Sequence, residues 1–270
     1  MKVYILIMSF IFSGRSLRLL SLVSLLSCTL YCIGTGEWWL LIAAYVYFRI
    51  VINFFAKSIA LHRYFSHSSF STTKSKQYLL TVISILAGQG SPFEYSVIHR
   101  HHHLYSDTDK DIHGPRQGFW HSVFLWSIQS TEWFLQVKKV SLKKSADVTK
   151  DKLVQFVNKK YYLIWSVLII LTALIHWKIT LFFLLAPVGF EALHNGLISS
   201  YLSHKKFYGA YRNFETSDDS VNYKFLVYFQ TGEAFHNNHH QFPNRSNMAV
   251  QKGEFDLAGW VVDRWLCIKS

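Results

Sequence analysis

Four apolar stretches interrupt the 270-residue chain, and they constrain its fold more than any other feature. They cover residues 19–33, 38–55, 161–175 and 179–193. Each approaches the roughly 20 apolar residues that a helix needs to cross a bilayer. Only four residues separate the first stretch from the second, and three separate the third from the fourth. The pattern therefore predicts an all-α integral membrane protein with four transmembrane helices in two hairpins.

A shorter apolar run, residues 3–12, precedes the first stretch. It follows Lys2 as the core of a signal peptide would, but no small-x-small cleavage motif comes after it, and Arg15 and Arg18 interrupt the sequence. We expect an interfacial segment or the start of the first helix instead.

The basic residues predict how the chain is oriented. Lys and Arg number 15 between residues 56 and 160 and 8 from residue 200 onward, whereas the two short turns contain only Lys178. Because cytoplasmic segments carry the excess of basic residues, both long segments and the amino terminus are predicted to be cytoplasmic. We divide this single membrane domain, 1–270, into a first hairpin (1–57), a cytoplasmic segment (58–160), a second hairpin (161–199) and a second cytoplasmic segment (200–270).

The composition narrows the class of protein. A net charge of +12 would suit a nucleic acid, an anionic lipid or an acidic ligand. However, half of the residues are hydrophobic and only 16% are charged, against about 25% in soluble domains. Orientation in the membrane and contact with anionic lipid explain the charge, and no nucleic-acid-binding module is visible. The Lys-rich run 137–152 is either a solvated connector or a docking patch for an acidic partner protein.

Eight of the 14 histidines form three blocks. The blocks are His62 and His67; His99, His102 and His103; and His236, His239 and His240. The last two share the spacing H-x-x-H-H, which places three imidazoles on one side of a helix, where they can point at a common point. His62 and His67 are five apart and require either a helix end between them or two different metals. Eight imidazoles exceed the four ligands of a typical zinc site and suit two ions.

Other interpretations of the histidines have less support. His101, His121 and His176 stand outside the blocks and are interpreted as ordinary polar side chains. The absence of H-E-x-x-H argues against a zinc protease. A membrane metal transporter or sensor would place its ligands at the bilayer midplane, whereas these blocks fall on predicted cytoplasmic segments.

These blocks resemble the histidine boxes of the membrane-bound fatty acid desaturases, in particular the bacterial-type members of the acyl-CoA desaturase-like branch. The resemblance extends from about Ser58 to Leu266. It includes the run 88–92 (GQGSP) before the second box, the stretch 99–120 and the stretch 231–243 (TGEAFHNNHHQFP). The family implies a cytoplasmic helical cap with a di-iron centre and a ninth histidine, for which His204 stands in the matching place. The implied iron ligands are His62, His67, His99, His102, His103, His204, His236, His239 and His240.

The chain departs from the family pattern at several positions. Ser200 replaces an Asn that touches one iron through water, and its hydroxyl can also hold a water. Tyr95 replaces a Trp, and Val123 replaces a His. Val97 and Ile98 replace the Arg-Asp pair that lies near the CoA group in animal members, which makes an acyl-CoA head group less secure than desaturation itself.

The resemblance implies an enzyme that uses O2 and two electrons to place a cis double bond in a saturated long-chain acyl group, with delta-9 as the expected position. A hydroxylase or other oxygenase on the same scaffold is the alternative. The acyl group could be carried by CoA, by acyl-carrier protein or by a lipid. Because the cysteines form no haem-attachment or iron–sulfur pattern, we expect an external electron donor: a ferredoxin, a rubredoxin or a small cytochrome with its reductase.

Several further residues are expected around such a site. Asp111, Glu233 and Asn237 could bond to the outer nitrogens of the ligand histidines. Asp107 and Asp109 could do the same, or both could equally be solvated surface residues. Glu191 and His194, at the end of the fourth apolar stretch, are either functional or interfacial. An apolar tunnel would position the acyl chain, and the residues expected to line or close it are Val46, Ile50, Gln89 and Tyr95. A branched Ile50 would favour chains of palmitoyl length.

Overall fold

A computed structural model describes residues 14–128 and 143–268 of the chain. Four long helices dominate it: α1 (Gly14–Thr35), α2 (Trp38–Ser66), α6 (Lys152–Ile175) and α7 (Ile179–His204). All four are long and apolar enough to cross a membrane. The apolar run 3–12 and the first part of the Lys-rich run, 137–142, lie outside the described residues.

The helices continue beyond the apolar stretches that predicted them. α2 runs on to Ser66, α7 runs on to His204, and α6 already begins at Lys152, where the Asp151 carboxylate accepts hydrogen bonds from the amides of Leu153 and Val154. The expected division points at residues 58, 161 and 200 therefore fall inside helices. Because both extensions contain buried polar residues, such as His62 and Arg63 in α2 and His204 in α7, hydropathy alone ends them too early.

The four helices share a buried core. Phe48 of α2, Trp165 of α6, Val188 of α7 and Leu17 of α1 belong to one cluster. Helix α1 packs closely along α7 at Gly189, where an added Cβ would lie only 2.6 Å from the carbonyl oxygen of Ser21. Small residues allow membrane helices to approach in this way.

Shorter elements cover the ends of α2 and α7. They are α3 (Lys74–Ile85), α4 (Pro92–Tyr105), α5 (Phe119–Val123), α8 (Val227–Gln230), α9 (His236–Gln241) and α10 (Leu257–Val261, extended by Val262–Leu266). Short stretches of 3-10 helix occur at Pro115–Gln117, Leu125–Ile128, Lys143–Thr149 and Thr231–Ala234. Helix α4 starts with a capping box in which Ser91 and Glu94 bond to each other's backbone amides.

The sequence predicts an all-α fold, whereas the structure also contains a small β-hairpin. Two short strands, β1 (Ala210–Tyr211) and β2 (Asn222–Tyr223), pair antiparallel. Asn222 fixes this hairpin against α9, because its side-chain oxygen accepts hydrogen bonds from the amides of Asn237 and Asn238. Two-residue strands leave no periodic pattern in a sequence, so they could not be anticipated.

Candidate metal centre

The nine predicted histidines come together in two buried groups. One group holds His62, His67, His99, His103 and His239, and the other holds His102, His204, His236 and His240. Within each group the candidate ligand nitrogens all lie within 4.8 Å of one another. The cores of the groups come from the ends of α2 and α7, from α4 and from α9, which explains why the two long helices extend so far.

The H-x-x-H-H blocks do not each point at one place, contrary to our expectation. In α4, His99 and His103 belong to the group of five, whereas His102 belongs to the group of four. In α9 the assignment is reversed: His236 and His240 belong to the group of four, whereas His239 belongs to the group of five. The reason is helical geometry: positions i+3 and i+4 are about 100° apart, so they fall on opposite sides of position i. Each short helix thereby supplies both groups.

His62 and His67 lie in the same group, because α2 widens and ends between them. The second part of α2, Phe48–Ser66, is π-helical, and the His67 amide donates to the carbonyl oxygen of His62 at 3.2 Å. Residues five apart share one side in such a turn. The helix-end alternative therefore applies to this pair, rather than two separate metals.

The spacing of the nitrogens fits metal ligation. Nε2 of His67 lies 2.7 Å from that of His99, and Nε2 of His62 lies 3.0 Å from that of His239. In the group of four, Nε2 of His236 lies 2.9 Å from that of His204. Imidazole–metal bonds of about 2.1 Å meeting at right angles put two ligand atoms about 3.0 Å apart. An all-imidazole donor set suits iron, zinc, copper or nickel.

Four carboxylates bond to the outer nitrogens of four of these histidines. The Nδ1 atoms lie 2.9 Å from Glu233 for His62, 3.0 Å from Asp111 for His102, 2.7 Å from Asp107 for His204 and 2.8 Å from Asp218 for His240. A carboxylate on Nδ1 fixes the proton there and leaves Nε2 free to bind a metal. Every histidine with such a partner therefore turns its lone pair toward the interior of its group.

The residues predicted to bond to the outer nitrogens of the ligand histidines thus differ in what they contact. Asp111, Glu233 and Asp107 bond to histidines, while Asp109 is exposed. Asn237 instead accepts hydrogen bonds from the backbone amides of Asn213 and Phe214 and so holds the loop after β1.

Two residues of the site were not predicted from the sequence. Asp218 lies in the loop before β2, 22 positions from its partner His240, where an acidic pair resembles any solvated turn. Lys57 is buried in α2 and forms an ion pair with Glu233. Lys57 lies two residues beyond the apolar stretch 38–55, in the part of the chain assigned to the first hairpin. The signal was available, because an ionisable residue in a membrane hairpin is functional by default.

The electrostatics favour the neutral form of several of these imidazoles. Burial, together with the neighbouring imidazoles, lowers the pKa of His99, His103 and His239 well below the ordinary value. Burial would raise the pKa of Glu233, but the charge of Lys57 and the hydrogen bond with His62 outweigh it and hold that pKa well below its usual range. Neutral imidazole is the form that binds a metal.

A cavity of about 50 Å³ adjoins both groups. Its wall includes the predicted tunnel residues Gln89 and Tyr95, and also Ser200. Val46 and Ile50 lie elsewhere: their side chains are 48% and 54% exposed on α2, so they do not close this cavity. The expected tunnel end was placed by ungapped spacing along the chain, which does not specify the side of the helix.

The remaining predicted positions lie outside the two groups. His101 and His121 bond through Nε2 to the carbonyl oxygens of Lys110 and Ile112, and Nδ1 of His176 accepts from the Lys178 amide. Glu191 is buried and accepts a hydrogen bond from Asn53 at 3.0 Å.

Comparisons with known proteins point to one family. The family described as "Fatty acid desaturase" matches residues 36–251. The chain is 32% identical over 206 residues to the "sn-1 stearoyl-lipid 9-desaturase" of Anabaena variabilis, a match that covers 76% of the chain and 73% of that protein. It is 28% identical to the "Delta-9 acyl-lipid desaturase 2" of Arabidopsis thaliana and 28% identical to the "Icosanoyl-CoA 5-desaturase" of Limnanthes douglasii. Each of these two matches covers 76% of the chain, but only 65% and 56% of the relative, which is less than two thirds of its length. The family match spans most of the chain and includes all three histidine boxes, so the chain belongs to the fatty acid desaturase family.

Proposed function

We propose that this protein is an iron- and oxygen-dependent desaturase that introduces a cis double bond into a saturated long-chain acyl group. The observation that carries the proposal is the pair of buried histidine groups beside one cavity, in a chain of the desaturase family. Two of the relatives above are named for position 9, which supports delta-9 here, while the third is named for position 5.

Two iron ions, one in each group, fit the donor set. His62, His67, His99, His103 and His239 would hold one, and His102, His204, His236 and His240 the other, with Ser200 offering a water-mediated contact in the cavity wall. Iron bound there supplies, with O2 and two external electrons, the oxidising power that removes two hydrogens from an unactivated methylene pair.

The protein's own residues contribute position and environment. Glu233, Asp111, Asp107 and Asp218 hold protons on the outer imidazole nitrogens, so that the ligand nitrogens stay unprotonated. Burial of the groups keeps bulk water from the reacting carbons. The cavity beside Gln89 and Tyr95 holds one carbon–carbon bond of the chain next to the histidines.

The same proposal includes a topology and partners. The chain crosses the membrane four times as two hairpins. The shorter elements over the ends of α2 and α7 form a cap that contains the metal centre, and this cap faces the cytoplasm, because the basic residues lie on its side of the membrane. Membrane lipid surrounds the apolar helices. A ferredoxin, a rubredoxin or a small cytochrome with its reductase supplies the electrons from outside, and the acyl group arrives on CoA, on acyl-carrier protein or in a lipid.

The test is expression in a host without its own aerobic desaturase, followed by gas chromatography–mass spectrometry of the membrane fatty acids. We expect a new mono-unsaturated acid from the wild-type chain and none from His102→Ala. His176→Ala is the matched control, since it removes an exposed imidazole from a turn far from the groups, and it should leave the product unchanged. A hydroxy acid instead would assign the protein to the alternative, a hydroxylase. No product from wild type supplied with each of the three donor systems would contradict the proposal.

A further inference from the structure

Two residues that line this cavity each have a buried nitrogen without a hydrogen-bonding partner among the residues that the structure describes. These nitrogens are Nδ1 of His113 and Nε1 of Trp126. Both side chains line the cavity, and each residue is only 9% exposed. Leaving a buried polar atom without a partner is destabilising. Two such atoms on residues of one cavity wall indicate a place for a polar group of a ligand.

The two rings form a row that leads away from the metal centre. The His113 ring stacks on His102 with 4.4 Å between ring centroids, and Trp126 lies 5.2 Å from His113. The guanidinium of Arg18 lies 5.0 Å over the Trp126 ring and donates to the carbonyl oxygen of Ala192. Arg18 thereby ties the indole to α1 and α7 and keeps its orientation fixed.

The chemistry of these atoms selects an oxygen acceptor. An indole N–H can only donate, and a neutral imidazole can donate from Nδ1. The charged pair in the same wall, Lys57 and Glu233, is already bonded to itself. A saturated acyl chain is apolar along its length, and its nearest hydrogen-bond acceptor is the carbonyl oxygen at its head, which has two lone pairs for two donors.

We propose that Trp126 and His113 bind the carbonyl oxygen of the acyl substrate and so set the carbon at which desaturation occurs. This inference rests on the proposed function and extends it to regiochemistry. The anchor lies two ring-to-ring steps from the ligand His102, a fixed distance within one wall. The double bond is therefore counted from the carbonyl end of the chain, and shortening or lengthening the methyl end does not move it.

The first test is Trp126→Phe, which keeps the aromatic packing and removes only the donor. The double-bond positions are read by mass spectrometry of dimethyl disulfide adducts, for saturated chains of 16 and 18 carbons. We expect wild type to give one position, counted from the carbonyl, for both chains. We expect the variant to spread product over neighbouring positions, with the selectivity ratio falling about two- to tenfold, the effect of one lost neutral hydrogen bond. The control is Trp120→Phe, at a position 67% exposed, which should keep the wild-type pattern.

A second measurement does not depend on the variant's stability. Wild-type protein is given a substrate in which the ester or thioester C=O is replaced by CH2, such as the hexadecyl thioether of CoA beside palmitoyl-CoA, or a hexadecyl glycerolipid beside its palmitoyl ester. The carbonyl-free analogue should show the same spread of positions in wild type as the natural substrate shows in Trp126→Phe. Trp126→Phe should give the analogue no wider a spread of double-bond positions than wild type gives it.

The outcomes separate the two proposals. Wild type without unsaturated product contradicts the proposed function and removes the basis of the carbonyl site. In a second outcome, wild type makes one isomer, and the same isomer is obtained both from Trp126→Phe and from the carbonyl-free analogue. This outcome contradicts the carbonyl site alone and leaves water as the partner of both nitrogens. Double-bond positions that follow the methyl end in wild type would overturn it as well.

Discussion

At the scale of single residues, the outer carboxylates decide how well the imidazoles are prepared for a metal. Asp218 illustrates this, because its Oδ2 faces Nδ1 of His240 while its Oδ1 accepts from the Ser220 amide and the Thr216 hydroxyl. Burial would raise the pKa of Asp218, but the His240 hydrogen bond and charge lower it below its usual range. The carboxylate is thus held charged and fixed in position from three sides.

We therefore expect Asp218→Asn to weaken iron binding without unfolding the chain. The amide keeps the shape but can turn a donor toward Nδ1, which favours the wrong tautomer of His240. Loss of such outer partners lowers metal affinity roughly 10- to 100-fold. The measurement is iron content after dialysis against graded chelator, with the exposed Asp109→Asn as the control. Equal retention of iron by the two variants would mean that the Asp218 contact is unimportant.

The limits of sequence reasoning are visible in the same residues. The H-x-x-H-H spacing identified six of the nine histidines that the structure gathers, because i, i+3 and i+4 neighbours are adjacent on any helix. His62 and His67 were identified as a separate block, and His204 came only from the resemblance to the family. The spacing did not reveal that each H-x-x-H-H block is shared between two groups, which depends on how α4 and α9 are oriented. Asp218 could not be found, since its proximity to His240 is created by the β1–β2 hairpin rather than by any local pattern.

At the scale of elements, close helix packing positions the site from the membrane side. Hydropathy predicted four helices, but it could not show that α7 packs against α1 at Gly189, since a single glycine in an apolar run has no distinct pattern. An added methyl there would meet the Ser21 carbonyl oxygen at 2.6 Å and the Leu25 Cβ at 3.0 Å. Neither atom is the end of a flexible side chain, so the two helices would have to separate.

Gly189→Ala should consequently lower the free energy of unfolding by about 1–3 kcal/mol, the usual cost of overpacking. Gly34→Ala is the matched control, because Gly34 is also helical and nothing lies within 4 Å of its added Cβ. In a helix interior Ala is better than Gly by roughly 0.5–1 kcal/mol, so the control should be neutral or slightly stabilised. Thermal unfolding in detergent compares the two, and equal midpoints would show that α1 and α7 are not tightly packed.

At the scale of the whole molecule, the cluster of neutral histidines links folding to pH. Burial and the surrounding imidazoles lower the pKa of His103, His236 and His239 well below the ordinary 6.5. For His240, burial outweighs the opposing effect of Asp218 and lowers the pKa to about 4. In the unfolded chain each of these side chains would titrate near 6.5. Between 6.5 and the folded-state pKa, the unfolded state therefore binds more protons than the folded state, and stability falls as the pH falls.

The metal-free protein should accordingly unfold at a lower temperature at pH 5 than at pH 7. The lowered pKa of His240 alone corresponds to about 2 kcal/mol over this interval. His102 acts in the opposite direction, since burial disfavours its charge but Asp111 more than offsets this and raises its pKa. The histidines with lowered pKa outnumber it, so the net effect is a loss of stability on the acid side. Thermal unfolding after iron removal isolates this effect from metal release, because no ligand remains to be displaced. A midpoint that stays constant from pH 7 to pH 5 would mean that the imidazoles are already protonated or solvated in the folded chain, and the two groups would then not be prepared for metal.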